Sequence, residues 1–419
     1  MSARPTAEGI RELIGFVPEG APAGNVTIGR GALEGHTVRC ALVENRAASG
    51  ALGVAECTKL GALFDELAAR PEPLLLFLDS AGAKVSEGLP ALGAFRRLFA
   101  SGLACALAGT PMAAVLGTNC FGGASMLAHL AGARLFGPHT RLAMSGPAIL
   151  ATSAGISATD EMFRAMADAT IGAAGRAKAS AANTAWHEEL DIAQWLAHAL
   201  RPSPRSALAG WLERHRLLGE RLPPEARSAG GSRGLERAAL DALFPQGWNA
   251  DEADGVLTGE GEGAHGREAI IGLVRRAPLG AAAAWRFADS AWRLGRSSAA
   301  RVRVLLDCAT HAAGLDDERI VLSEFIVDMA DALAVLARQS TLELVVTGEA
   351  GGGVYVALAG PAPVVSALAG AAVIRVLPQA AIAAILGADR EAAPEADAYV
   401  RSGVADHELR LGVIRNSTT

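Results

Sequence analysis

Apolar runs of strand length recur along this chain in a fixed order, each followed by a turn of small residues. In PLLLFLDSAGAKVSEG (Pro73 to Gly88) a continuous apolar run reaches Asp79, passes through Ser80-Ala81-Gly82-Ala83 and leads into a helical stretch. PMAAVLGTNC is a second apolar run. It meets Gly122-Gly123 and a greasy helix without acid or lysine, and the short runs ARLFG and RLAMSG follow. The second half repeats this order. RVRVLLDCATHAAGLDDE (Arg301 to Glu318) reads as strand, Asp307, turn and helix, LELVVTGEAGGGVYVALAG (Leu342 to Gly360) as strand, glycine turn and helix, and AAVIRVL as the next strand. The spacing also matches, with 43 residues from Asp79 to Gly122 and 45 from Asp307 to Gly352. Unbroken apolar strands alternating with helices predict parallel sheets covered by helices, joined by right-handed crossovers. The expected fold is α/β, built twice in tandem.

Between the halves, Arg201 to Leu243 is rich in Arg, Pro and Ser, and its AGGSRG (Ala229 to Gly234) reads as a loop tip. The expected organisation is a first domain over 1–205, a helical connector over 206–240 and a second domain over 241–419. Two uncharged stretches, Leu98 to Ala133 and Val354 to Ile374, match or exceed the roughly 20 residues a membrane helix needs. Both are interrupted, by Gly109-Thr110-Pro111 and Gly122-Gly123 in one and by Gly360-Pro361 and Pro363 in the other. A buried strand, turn and helix in series reads the same way, so no membrane partner is expected.

Composition narrows the function classes. The 419 residues are 51% hydrophobic and 20% charged, which describes a globular chain with a large core. A net charge of −6 without a long basic run argues against nucleic acid, whose phosphates need clustered Lys and Arg. The five cysteines are scattered and never spaced as CxxC, and WHEELDIAQWLAH lacks the HExxH spacing. Neither a disulfide framework nor a metal site is expected. MSARPTAEGIRELIG has no apolar leader core, so a cytoplasmic location is expected.

The glycine pairs ask for a reason, because two glycines at a helix start cost about 1 kcal/mol each in helix stability. The first N–H groups of a helix have no partner within it, and a small-residue turn at a strand end also exposes N–H groups. Two such donors aimed at one point form an oxyanion hole, where the helix dipole favours negative charge. The pattern predicts one hole from Ala81, Gly82, Gly122 and Gly123, and a second from the Ala309-Thr310-His311 turn with Gly352 and Gly353.

The same residues carry a family resemblance. LLLFLDSAGAKVSEGLPALG with GTNCFGGASMLAHLAGARLFGPHTRLAMSGPAIL resembles the beta subunit of biotin-independent malonate decarboxylase. APLG (Ala277 to Gly280), LLDCATHAAGLDDE and TGEAGGGVYVALAG resemble its gamma subunit, so the chain is similar to a fusion of the two over Thr27 to Glu408. The resemblance implies tandem crotonase-like domains of the carboxyltransferase branch. It implies decarboxylation of a malonyl, or substituted malonyl, thioester on an acyl carrier protein or CoA, without biotin. The phosphopantetheine or CoA arm would arrive with the substrate. Loss of CO2 leaves an enolate whose oxygen two fixed N–H donors stabilise more strongly in the transition state than in the ground state. The chain departs from the family where glutamates are replaced by Ala148, Ala151 and Ser153, glutamine by His311 and arginine by Lys84.

Each candidate side chain has an ordinary alternative. His311 is expected to deliver a proton to the enolate, or else to be a plain loop histidine. Lys84 would attract the malonyl carboxylate or a carrier phosphate, or else is a lone surface lysine. Glu87 stands at a position the family keeps acidic, and an acid at a helix N-terminus explains it equally well. Ser145, in MSGP, is expected to shape the pocket. His129 and Cys120 are expected to be core residues. The expected partner is an acyl carrier protein or CoA thioester, with the chain a homo-dimer. Two rivals share this pattern: a biotin-dependent acyl-CoA carboxyltransferase component, and a non-catalytic acyl-carrier-binding scaffold, motivated by the missing glutamates.

Overall fold

The computed structural model describes residues 4–156, 160–202, 207–227, 237–274, 277–297, 299–377 and 396–410. The expected loop tip at AGGSRG lies outside them. The first sheet holds β1 (Val17–Pro18), β2 (Val26–Leu33), β3 (His36–Val43), β4 (Leu74–Ser80), β5 (Met112–Phe121), β6 (Ala133–Phe136), β7 (Arg141–Ala143) and β8 (Asn183–Ala185). The second holds β9 (Trp248–Ala253), β10 (Val256–Gly263), β11 (Gly266–Val274), β12 (Arg301–Cys308), β13 (Thr341–Gly351), β14 (Val364–Leu368), β15 (Val373–Arg375) and β16 (His407–Leu409).

The two sheets share one topology. The first runs β1-β2-β3-β4-β5-β6-β8 with β7 on β5, and the second runs β9-β10-β11-β12-β13-β14-β16 with β15 on β13. In each, an antiparallel hairpin is followed by parallel strands. Even the register slip recurs, between Leu78 and Ser80 in one and between Leu306 and Cys308 in the other. The cause is visible in the strands: LLLFL of β4 is buried on both faces, as a central parallel strand must be.

The helices of the first half are α1 (Ala7–Ile14), α2 (Val54–Ala69), α3 (Leu89–Leu107), α4 (Gly123–Leu130), α5 (Pro147–Ser153), α6 (Glu161–Ile171), α7 (Ala173–Ala179) and α8 (Ile192–Ala199). The connector carries α9 (Ala207–Arg221), α10 (Pro224–Arg227) and α11 (Arg237–Leu243). The second half adds α12 (Ala281–Ser297), α13 (Leu315–Arg319), α14 (Leu322–Gln339) and α15 (Gly352–Ala359). One apolar core joins the two sheets through α2, α3, α4, α12, α14 and α15. Within it α4 packs on α14 and α15 on α3, so each glycine-led helix lies against the long helix of the other half.

The connector helix α9 is packed down rather than tethered loosely. His215 on α9 stacks on the Trp285 ring at 5.2 Å and sits 2.7 Å from the buried Asp328. Burial pulls this imidazole down, but Asp289 and Asp328 raise it to about 9. Arg214 and Arg221 of α9 pair with Asp331 and Glu324 of α14. Among the described residues, no helix is long and apolar enough to cross a membrane. Leu98 to Ala133 resolves into the end of α3, then β5 and α4.

Candidate active site

Both halves end their central strands with one device. Asp79 Oδ1 accepts the Asn119 N–H at 3.0 Å, and Asp307 Oδ1 accepts the Glu349 N–H at 2.8 Å. Each carboxylate therefore ties a turn-bearing strand to the next strand, which carries the glycines. A short parallel bridge supports each turn from outside. Leu52 N–H donates to Gly82 O at 2.8 Å and Lys84 N–H to Leu52 O at 2.9 Å. In the second half Leu279 N–H donates to Thr310 O at 2.9 Å and Ala312 N–H to Leu279 O at 2.8 Å. By this match His311 holds the place of Ala83.

The first turn explains its own glycines. Gly82 has φ +94°, and a Cβ there would stand 2.9 Å from Phe121 O and 3.0 Å from Gly123 N, so the two turns are in contact. Gly122 has φ +54°, a left-handed bend that side chains resist. A Cβ on Gly123 would strike the Phe95 ring at 2.3 Å. Packing thus requires Gly123 as strictly as any ligand would.

Two of the four expected donors of the first hole are spent on backbone. Ala81 N–H donates to Ser49 O at 2.9 Å, and Gly122 N–H to Ala143 O at 3.0 Å, because both point along the sheet rather than into the turn. Gly82 N–H donates to the rotatable Ser80 hydroxyl at 3.1 Å. The Gly123 N–H meets no acceptor among the described residues and opens α4, whose first turn carries no acid to offset the helix dipole. Gly122 and Gly123 are both half-buried.

The second turn is covered. Gly352 bends the chain at φ +52°, as Gly122 does, but a Cβ on Gly353 would stand 2.3 Å from Met144 Cε and 3.2 Å from Met126 Sδ. Met144 follows β7 of the first half, and Val376 follows β15 at the corresponding place in the second. His311 reaches across the same seam, with Nε2 3.1 Å from Ser145 Oγ. The structure thus brings together Ser145 and His311, singled out separately in the sequence. Burial lowers His311 to about 4, so the ring is neutral near pH 7 and an imidazolium proton for the enolate is not available from it.

The remaining candidates are engaged elsewhere. Lys84 Nζ lies 2.9 Å from Glu87 Oε1, and each raises or lowers the other's pKa in the sense of a pair. Glu87 Oε2 accepts the N–H of Val54, capping α2. Ala148, Ala151 and Ser153 lie on α5. A cleft of 440 Å³ lined by Arg96, Arg97 and Arg338 includes none of the glycine turns. His129 and Cys120 are fully buried. Among the described residues no cluster of His, Cys, Asp and Glu could hold a metal ion.

Sequence reasoning passed over Glu318 and Arg176. Both are fully buried, with Arg176 Nη2 2.7 Å from Glu318 Oε2. Burial pushes the Glu318 carboxyl up and Arg176 pulls it down. No sequence signal set them apart, since each is the one buried residue of a short helix, Glu318 of α13 and Arg176 of α7.

A family model for the carboxyl transferase domain matches residues 12–262, from α1 through the connector into β10. The chain belongs to the carboxyl transferase domain family. A relative within it, the methylmalonyl-CoA carboxyltransferase 12S subunit of Propionibacterium freudenreichii subsp. shermanii, is 28% identical over 161 residues, covering 38% of this chain and 30% of that protein. The chain thus spans under a third of that relative's length. Among solved structures, transcarboxylase 12S, described as a hexamer assembly, aligns over 98% of this chain and 86% of its own at 19% identity and TM-score 0.40. A Pseudomonas malonate decarboxylase hetero-tetramer in complex with malonate aligns over 51% and 88% at 23% identity and TM-score 0.41.

Proposed function

We propose that the protein decarboxylates a malonyl, or substituted malonyl, thioester presented on an acyl carrier protein or CoA, at the first glycine turn. The inequality of the two turns supports this reading: Gly123 is half-buried with an N–H that meets no acceptor among the described residues, whereas its counterpart Gly353 is buried with Met144 packed beside it. The thioester oxygen accepts the Gly123 N–H and, once the Ser80 hydroxyl rotates away, the Gly82 N–H. The bond from the α-carbon to the carboxylate breaks, its electron pair moves into the enolate, CO2 leaves, and water supplies a proton to carbon. Each such donor is typically worth about 3 kcal/mol in the transition state. No metal or biotin takes part. Lys84 and Glu87 follow the first turn as an ion pair, and Ser145 and His311 meet across the seam of the second.

The second reading is carboxyl transfer to a biotin carrier, favoured by the likeness to a carboxyltransferase subunit. It needs a second cradle for the acceptor carbonyl, and the Gly353 position where the duplicated fold would supply one is buried, with Met144 packed beside it. The test is to incubate purified protein with malonyl-CoA and with malonyl carrier protein and follow the acetyl product by mass. Acetyl product without added biotin supports decarboxylation. Carboxybiotin formed from malonyl-CoA, with no acetyl product, transfers the assignment to the second reading.

A further inference from the structure

We infer that Glu318 is a positioning residue through which the second half holds the glycine turn of the first, an inference that rests on the decarboxylase reading. Its carboxylate accepts the N–H of Met144 at 2.8 Å and of Ser145 at 3.2 Å on one oxygen, and Arg176 Nη2 at 2.7 Å on the other. Arg176 Nε donates to Leu142 O at 2.7 Å, and its Nη1 to the backbone carbonyl of Glu318. These bonds grip residues 142, 144 and 145, on both sides of Ala143. The Ala143 carbonyl is the acceptor that fixes Gly122 N–H, and Gly122 sets the direction of the Gly123 N–H beside it.

The chain of contacts runs from α13 of the second half, through the end of β7, to the open amide. It also sets where Met144 lies, because the Met144 N–H is held directly. A buried ion pair is weak evidence for stability, since an apolar pair of like volume often serves as well or better. Here the oxygen not held by Arg176 accepts two successive backbone N–H groups, of Met144 and Ser145, beside the hole. That aim is the mark of a brace for geometry. The half whose own turn is covered supplies the brace for the half whose turn is open.

The double variant Arg176→Met/Glu318→Leu removes both charges together and so avoids stranding either. It leaves the N–H groups of Met144 and Ser145 and the carbonyl of Leu142 without these partners, so it is expected to melt below the parent while staying folded, and the Met144 and Ser145 amides should exchange at least tenfold faster. Turnover should fall on the order of 100-fold, the usual cost of a displacement near 1 Å, with KM changed less than about twofold. Glu318→Gln keeps an acceptor for both N–H groups and should recover part of the turnover lost in Glu318→Ala. Unchanged amide exchange in the folded double variant, or Glu318→Gln turning over no faster than Glu318→Ala, overturns the inference. If the double variant does not fold, exchange in Glu318→Gln decides it. If the parent protein gives no acetyl product, the decarboxylase reading fails, and amide exchange still judges the brace by itself.

Discussion

The first and second glycine turns are built alike and end up unlike. Each has an aspartate brace, an outer bridge and a left-handed glycine before a short buried helix. What differs is the side chain each half sends over the seam. Met144 covers Gly353, while the corresponding position in the second half is the shorter Val376. His311 takes the place of Ala83 and fills the same seam. A glycine pair thus reports a backbone path; whether its amide is open depends on residues from the opposite half.

The largest effect should come from Gly82→Ala. A Cβ there meets two backbone atoms near 3 Å at a φ of +94°, so the turn and the Gly123 amide must separate. Turnover is expected to fall by about 100- to 1000-fold, the range seen when one oxyanion donor is lost. Gly353→Ala meets only the flexible ends of Met144 and Met126, and turnover should stay within about threefold, because side-chain tips yield where backbone does not. Steady-state decarboxylation of both variants, with melting curves as control, makes the comparison. Equal losses would show that the turns act as a pair.

The next effect is on stability and depends on pH. His311 is buried and neutral, with its folded value lowered from 6.5 to about 4. Below pH 6.5 the unfolded chain takes up a proton that the folded chain refuses, so stability falls as pH drops from about 6.5 to about 4. The full contribution is on the order of 3 kcal/mol. His311→Ala makes the second turn like the first and should flatten that part of the slope in denaturant titrations between pH 7 and 4. A slope unchanged in the variant would mean that His311 titrates in the folded protein as it does in water.

Much of this architecture was legible in the chain itself. The unbroken apolar runs gave the parallel strands, and the matched spacing of aspartates and glycines gave the repeated plan, because both are set by local backbone needs. The fate of individual amides was not legible. Ala81 and Gly122 look like free donors, yet Ser49 and Ala143, from distant parts of the chain, take their protons. The ionisation of His311 was hidden for the same reason, since its enclosure comes from the other half. Glu318 looked like one acid among three in LDDE, and only its burial against Arg176 sets it apart from the exposed Asp316.

The smallest effect, and the most direct test of the covered turn, is Met144→Val. The substitution makes the residue after β7 match Val376 after β15, removing the sulfur and terminal methyl that lie on Gly353. The loss of buried volume should cost about 1–2 kcal/mol. Because the Met144 N–H and its bond to Glu318 are untouched, the Ala143 carbonyl and the first turn should keep their places. Turnover is therefore expected within about twofold of the parent, well below the loss of a donor. The Gly353 amide should exchange faster while the core of β13 does not. If that amide stays as protected as before, something other than Met144 covers the second turn, and the contrast between the halves lies deeper than one side chain.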